Sequence, residues 1–359
     1  MTKDKLNLMT AINKLSYGLV GCNILKALVE ENVEISLFPI NSVGQDADFQ
    51  FHNIISDTTR NALSFSSAPC LRVWHQFNMA ESIGSGERWG MPIFELDNFT
   101  KLEMHQLNSL DEIFVCSEWA KTVCSKLQSD VYTIPLGVDP EIFYQQTIRK
   151  PKDTIFLNIG KWEYRKGHDV LVECFNNAFK PSDNVQLWMC TFNSHDDNER
   201  WVKLYKESPL GDKIKIIPRL ENQIQVAQVM NSATCGIFPS RAEGFNLGAL
   251  EMLACGKPNI ITNYSAHTEY STKLNSFLIP IDSLEVADDG RWFKPHPDGL
   301  VNQGQWAKIE KSHKDIIIQY MRDIHHNGID SQQTEHCLET ARKFTWKNTA
   351  KLIIERIQA

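Results

Sequence analysis

Short runs of apolar and β-branched residues alternate along this chain with longer segments whose apolar positions recur at helical spacing. In the first part of the chain these runs predict six strands, at residues 6–12, 33–39, 71–77, 91–96, 112–116 and 131–135. After a polar segment at 145–151 the pattern restarts and predicts five more, at 153–159, 185–191, 213–218, 235–239 and 259–262. Amphipathic segments between the strands, including 19–30, 101–110 and 118–127, predict helices.

Strand–helix alternation repeated this often is typical of an α/β protein with parallel sheets covered by helices on both faces. Two such series in 359 residues predict two doubly wound, Rossmann-like domains, since a domain usually takes about 100–200 residues. We place the first domain at residues 1–148 and the second at 149–340, followed by an amphipathic helix within 341–359. Ligands of open α/β sheets bind outside the carboxyl ends of the strands, so we expect the two domains to face a central cleft.

Composition and charge argue against a membrane-spanning protein and against a nucleic-acid-binding protein. Hydrophobic residues make up 42% of the chain, and no apolar run approaches the roughly 20 residues that cross a membrane. No apolar leader follows Met1, so we expect a cytoplasmic protein. Residues 1–148 carry 10 Lys+Arg against 18 Asp+Glu, a net charge of −8, which disfavours nucleic acid and strong binding to anionic membranes. The other residues are nearly neutral, with 27 against 26, which is compatible with a local cationic pocket.

No metal site is expected. The nine cysteines are scattered singly without a C-x-x-C pair, which favours structural thiols. Asp46 and Asp48 form a D-x-D pair that could bind a divalent metal, but no predicted strand leads into them. His325 and His326 have no third ligand at metal spacing.

Two glycine-containing loops follow predicted strands. In the loop 13–21, Gly18 and Gly21 allow close approach of an anion to a helix N-terminus, although packing in a tight turn is an equally good interpretation. The loop begun by Gly160 places Arg165 and Lys166 beside a following helix, an arrangement that suits a diphosphate. A solvated basic turn is the alternative.

The segment 238–258 is the most informative. Glu243 lies in a turn after a strand, and Glu251 lies inside an otherwise apolar helix, where a buried carboxylate needs a partner. The two vicinal hydroxyls of a ribose supply such a partner, because a carboxylate accepts two hydrogen bonds. The amides at the start of this helix are suited to phosphate: those of Gly244, Phe245, Asn246 and Leu247.

These motifs resemble a known family. The spacing Glu243-x7-Glu251 with Gly244-Phe245, preceded by Gly160-Lys161 and Arg165-Lys166-Gly167, is similar to that of the retaining glycosyltransferases of family 4, which have the GT-B fold. Further similar segments are I-P-L-G-V-D at 134–139, S-E-W-A at 117–120 and F-T-W at 344–346. The last of these resembles the start of the family's C-terminal helix, which crosses back to the N-terminal domain.

The resemblance implies different binding roles for the two domains. The second domain is expected to bind a nucleotide sugar and the first an acceptor. Glu243 corresponds to the residue that contacts the donor-sugar hydroxyls, and Gly244, Phe245 and Asn246 to residues near sugar and phosphate. Residues Arg165 and Lys166 correspond to the diphosphate ligands, and Glu251 to the ribose ligand. The remaining correspondences are Arg219, by position only, with the base-binding loop, and His75 with a sugar-contacting histidine, for which a structural role is the alternative.

The implied function is transfer of a sugar, with retention, from a UDP- or GDP-sugar to a hydroxyl of a glycan, a lipid-linked sugar or a small molecule. It requires neither cofactor nor metal and follows a front-face mechanism. Two alternatives stay open: a GT-B nucleotide-sugar epimerase and a non-catalytic nucleotide-sugar-binding subunit. The sequence gives no oligomeric state.

Overall fold

The computed structural model describes residues 4–41, 43, 51–62, 65–147, 151–194, 198–294 and 304–359. The described residues within Met1–Gly137 and Phe344–Ala359 form one compact unit, unit 1. Those within Val138–Lys294 and Gln305–Lys343 form a second, unit 2.

The strands and helices follow in chain order. The strands are β1 (Lys5–Thr10), β2 (Glu34–Pro39), β3 (Cys70–Trp74), β4 (Arg88–Pro92), β5 (Glu112–Val115), β6 (Asp130–Thr133), β7 (Thr154–Gly160), β8 (Val185–Thr191), β9 (Ile214–Ile216), β10 (Cys235–Phe238), β11 (Asn259–Asn263), β12 (Ser276–Pro280), β13 (Leu284–Val286) and β14 (Gln305–Ala307). The helices are α1 (Ser16–Glu30), α2 (His52–Arg60), α3 (Lys101–Leu107), α4 (Glu118–Cys124), α5 (His168–Ala178), α6 (Asn198–Lys206), α7 (Gln223–Ser232), α8 (Leu247–Ala254), α9 (Lys311–Asn327), α10 (Ser331–Lys343) and α11 (Trp346–Ile357).

Each unit contains a parallel six-stranded sheet, which confirms the predicted α/β class. The strand order is β2-β1-β3-β4-β5-β6 in unit 1 and β12-β11-β10-β7-β8-β9 in unit 2. In both sheets the chain first builds outward in one direction and then returns to build in the other, so each is doubly wound. A short antiparallel pair, β13 with β14, adds to unit 2. Ten of the eleven predicted strands coincide with observed ones, whereas the strand predicted at 91–96 overlaps β4 only at residues 91–92. β12 to β14 were not predicted.

The sheet of unit 2 is buried beneath its helices. Phe156 of β7, Leu187 of β8 and Ile237 of β10 pack in one cluster with Phe175 of α5 and Met321 of α9. Burying a side chain of this size contributes about 1.5–3 kcal/mol each, so the cluster anchors the strands whose ends carry the site loops.

The boundary between the units lies at Gly137, earlier than the predicted boundary at 148. Asn231 of α7 explains the difference, because its side chain donates to the Tyr144 carbonyl and accepts from the Gln146 amide. Those residues therefore belong to unit 2. At the other end of the chain α11 belongs to unit 1, where it packs against α1.

Two further observations bear on the sequence analysis. All nine cysteines are buried free thiols, as predicted. Among the helices of the described ranges, none is long and apolar enough to cross a membrane.

Candidate active site

The candidate site of unit 2 lies where its sheet changes winding direction. β7 and β10 are hydrogen-bonded neighbours and parallel, so the loops that follow them leave the same edge side by side. One loop carries Arg165 and Lys166, and the other carries Glu243. In open α/β sheets this edge, at the change of direction, is the usual ligand position.

These loops bring Arg165, Lys166 and Glu243 into one hydrogen-bonded cluster, to which Glu163 also binds. Arg165 Nη1 lies 2.8 Å from Glu243 Oε2, and Lys166 Nζ lies 2.7 Å from Glu243 Oε1. Arg165 Nη2 also donates to Glu163 Oε2 at 2.7 Å, and Ser240 Oγ donates to Glu243 Oε1 at 2.8 Å. From the sequence we predicted that both cations bind a diphosphate and that Glu243 binds a sugar. Their hydrogen bonds to each other were not predicted.

The Glu243 carboxylate stays ionised. Burial by itself raises its pKa, but the charges of Lys166 and Arg165 outweigh burial and hold the pKa well below its ordinary value of 4.5. The pairing fixes the two cations in place. Lys166 has three N–H donors, and among the described residues only Glu243 takes one, so its ammonium group retains donors for an anion.

The N-terminus of α8 lies directly after this cluster. Gly244 and Phe245 are buried in the connecting turn, and Asn246 precedes the helix with φ 69° and ψ 71°, in the left-handed region. Within the part of the chain that the structure describes, the amides of Leu247 and Gly248 have no hydrogen-bond acceptor. Such amides at a helix N-terminus, beside fixed cations, are suited to bind phosphate oxygens.

Glu251, one turn into α8, is buried as the sequence predicted. Burial raises the pKa of its carboxyl to about 8. Across the described ranges its carboxyl makes no hydrogen bond or ion pair with another side chain. Its position fits a ligand that presents hydroxyl groups, as the sequence analysis expected of ribose.

A segment that the sequence analysis did not single out supports the turn at 243–246. Ser265 Oγ accepts a hydrogen bond from the Glu243 amide at 2.9 Å. His267 Nε2 lies 2.9 Å from Asn246 Nδ2, and the Tyr270 hydroxyl donates to the carbonyls of Phe245 and Asn246. These contacts join residues about 20 positions apart, and no local spacing signals them.

Arg241 is another residue that the sequence analysis did not identify. It is buried, forms a bidentate pair with Asp169 through two 2.9 Å hydrogen bonds, and stacks on Tyr164 with its guanidinium carbon 3.8 Å from the ring centre. Its amide also donates to the Arg165 carbonyl at 2.7 Å. Arg241 therefore ties the two site loops together.

The remaining predicted residues lie around these loops or in unit 1. Gly160 ends β7 with φ 151°, and Arg219 is exposed after β9. In unit 1, Gly18 lies in the first turn of α1, where an added Cβ would lie 2.3 Å from Asn13 Oδ1, so tight packing alone requires glycine. His75 follows β3, and its ring lies 4.4 Å from that of Tyr17 and 5.1 Å from that of Phe77.

The metal candidates give no site among the described residues. No group of three or more potential ligands occurs there. His325 is half-buried and bonded to Thr154 Oγ1 at 3.0 Å, whereas His326 is exposed. Asp46 and Asp48 lie outside the described residues.

Comparison with known structures places the fold in the GT-B class. Sucrose-phosphate synthase from Thermosynechococcus elongatus superposes with a TM-score of 0.70, at 13% identity, over 99% of this chain and 98% of that one. A likeness at this identity shows a shared fold, and it confirms the predicted GT-B architecture.

Sequence comparison shows which proteins the second unit is similar to. Residues 140–290 match the profile described as "Glycosyl transferases group 1". The chain is 26% identical over 163 residues to GDP-mannose:cellobiosyl-diphosphopolyprenol alpha-mannosyltransferase of Xanthomonas campestris, covering 45% of this chain and 42% of that protein. It is 27% identical over 143 residues to D-inositol 3-phosphate glycosyltransferase 1 of Catenulispora acidiphila, covering 36% and 34%.

The matched residues, 140–290, include the whole of the charged cluster. The family resemblance stated from the sequence is confirmed for these residues. The matched segments span less than half of the length of both curated relatives.

Proposed function

We propose that this protein is a glycosyltransferase that moves a sugar from a nucleoside-diphosphate sugar to an acceptor hydroxyl, with retention of configuration and without a metal ion. The observation that best supports this proposal is the cluster of Arg165, Lys166 and Glu243 beside the N-terminus of α8. It combines two fixed cations, a carboxylate and helix amides at one sheet edge, as departure of a diphosphate requires.

The chemistry follows from where charge develops. As the bond from sugar to diphosphate breaks, negative charge grows on the departing phosphate. Donors that already point at that position stabilise it without reorganising, and removing one typically costs about 10²–10³-fold in turnover. Arg165 and Lys166, held by Glu243, and the amides of Leu247 and Gly248 have this character. A departing phosphate oxygen then serves as the base for the attacking hydroxyl in a front-face reaction.

Glu251 supports a nucleotide rather than a simple sugar phosphate as donor. It lies on the same helix whose N-terminus carries the phosphate amides, and its buried carboxyl suits two ribose hydroxyls. The Xanthomonas relative is named for GDP-mannose. We therefore rank GDP-mannose first among donors to be tested, with UDP-sugars next.

The test is release of free nucleoside diphosphate from a panel of GDP- and UDP-sugars, in the presence of EDTA. We expect release that is lost in Lys166→Ala. The matched control is Lys203→Ala, which removes an exposed lysine of α6 that pairs only at 4.0 Å with Glu207. Activity that returns only with Mg²⁺ or Mn²⁺ would contradict metal independence.

The same assay separates the other functions. An isomerised nucleotide sugar without release of nucleoside diphosphate would indicate an epimerase. Binding of the nucleotide sugar without any turnover would indicate a non-catalytic subunit. Inversion of the anomeric configuration in the isolated product would refute the retaining mechanism.

A further inference from the structure

Asn246 holds an unusual backbone position for a residue with a side chain. It is the residue before α8, at φ 69° and ψ 71°, a region that non-glycine residues occupy rarely and asparagine most readily. Its side chain does not cap the helix. The amide group points instead to His267 Nε2, 2.9 Å away.

The hydrogen bonds around His267 define which ring nitrogen carries the proton. The nearest atom of Asn246 is the amide nitrogen, which only donates, so His267 Nε2 accepts. Nδ1 then carries the hydrogen and donates to the Thr262 carbonyl at 3.1 Å. Thr262 Oγ1 in turn donates to the Ser240 carbonyl at 2.6 Å. A neutral imidazole therefore links the end of β11 to the turn before α8.

The charged groups near this imidazole lie on the two loops that follow β7 and β10. Glu243, Lys166 and Arg165 act on it electrostatically, but burial is the largest influence and lowers the pKa of His267 to about 4. The ring is fully buried, so it stays neutral and remains an acceptor across the physiological range.

We propose that His267 is a positioning residue that acts through Asn246: by accepting its amide hydrogen bond, His267 holds the left-handed turn that aims the Leu247 and Gly248 amides at the donor phosphates. This inference rests on the proposed function and assigns a role to a residue outside the charged cluster. His267 itself touches neither phosphate nor sugar in this role.

The turn gives the proposal a specific test, because glycine adopts the left-handed region without strain. Asn246→Gly makes the turn independent of the imidazole. Loss of one neutral hydrogen bond corresponds to about a 3- to 10-fold change in an equilibrium constant. We therefore expect His267→Ala to weaken binding of GDP and UDP about 3- to 10-fold in an otherwise wild-type chain, and little or not at all in an Asn246→Gly background.

The experiment measures GDP and UDP affinity by calorimetry in the wild type, His267→Ala, Asn246→Gly and the double variant. His267→Gln is the conservative variant, because its amide can donate to the Thr262 carbonyl and accept from Asn246; it should retain most of the affinity. It also keeps the test available if His267→Ala fails to fold. Equal weakening in both backgrounds would overturn the proposal, as would unchanged affinity in His267→Ala.

Amide hydrogen exchange in the segment 244–249 separates this inference from the proposed function, since it needs no ligand. His267→Ala should accelerate exchange there in the wild-type background and not further in the Asn246→Gly background. Wild-type protein that binds neither nucleotide would refute the proposed function, and the exchange pattern would still decide the role of His267. Equal acceleration in both backgrounds would refute that role.

Discussion

Glu251 makes the stability of this protein depend on pH in a way that one substitution removes. In the folded protein the pKa of its carboxyl is about 8, against an ordinary value of 4.5. The folded state therefore holds the proton more tightly than the unfolded state. By linkage, the free energy of unfolding falls as pH rises above 4.5, and the fall is complete only above about pH 8. Glu251→Gln carries a neutral group of the same shape at every pH and lacks this effect.

The size of the effect follows from the two pKa values. They differ by about 3.5 pH units, and each pH unit corresponds to about 1.4 kcal/mol. The wild type should match Glu251→Gln near pH 4.5, lie about 3–4 kcal/mol below it at pH 7, and lie about 5 kcal/mol below it at pH 9. Relaxation of the surroundings would make the measured values smaller, but it leaves their sign unchanged.

Urea unfolding at pH 5, 6, 7, 8 and 9 measures this difference. Glu141→Gln, at an exposed carboxylate of the same unit, is the matched control. Parallel profiles for wild type and Glu251→Gln would refute the reasoning, because they would mean that Glu251 titrates alike in the folded and unfolded states.

Binding of a nucleotide should lower the pKa of the Glu251 carboxyl. Ribose hydroxyls donate hydrogen bonds that favour the ionised carboxylate, so binding should release a proton. GDP or UDP affinity should then rise between pH 6 and 8 in the wild type, with a smaller rise in Glu251→Gln. Calorimetry in two buffers of different ionisation enthalpy detects the released proton directly. Identical pH profiles of the two proteins would contradict a contact between Glu251 and the ribose.

Three further predictions concern substitutions at Arg165, at Gly167 and at the pair Arg241–Asp169. Arg165→Ala should lower kcat about 10²–10³-fold, with Arg165→Lys intermediate because the charge remains and the fork is lost; steady-state kinetics would contradict this by showing only a higher donor KM. Gly167→Ala should cost about 2–4 kcal/mol of unfolding free energy in urea, since φ is 71° and the new Cβ would lie 2.1 Å from the Pro239 carbonyl oxygen; an unchanged midpoint would refute it. Arg241→Met should cost about 3 kcal/mol, and Asp169→Asn should cost less in that background than alone; additive losses in the double-mutant cycle would exclude coupling.

Local patterning predicted the strands well because most of them are short apolar runs that a parallel sheet buries. The prediction for β8 at 185–191 matches the observed strand residue for residue. Two of the three strands that were not predicted differ from these in length and pairing. β13 and β14 are only three residues long, and their antiparallel pairing joins positions about 20 residues apart. Such pairing is determined by tertiary contacts, which a window of sequence does not contain.

The sequence predicted which residues belong to the site, but not the contacts between their side chains. The position of Arg165, Lys166 and Glu243 in loops after two strands could be predicted from the sequence. The adjacency of those strands, β7 and β10, and the mutual hydrogen bonds of the three side chains are visible only in the structure. Glu251 could be predicted to be buried, because the apolar residues around it left no polar face. The roles of Arg241 and His267 could not be predicted, because their partners Asp169 and Asn246 are distant in sequence.

The location of α11 has a consequence for how the chain is made. Unit 1 contains both β1 and α11, the helix whose Ile353 is fully buried and whose Arg356 pairs with Glu112 at 2.6 Å. On the ribosome, all of the residues that form unit 2 have been synthesised once Lys343 has been added, whereas unit 1 still lacks α11. The unit that is begun first is therefore completed last, and until then the surface of α1 that α11 covers is open to other partners.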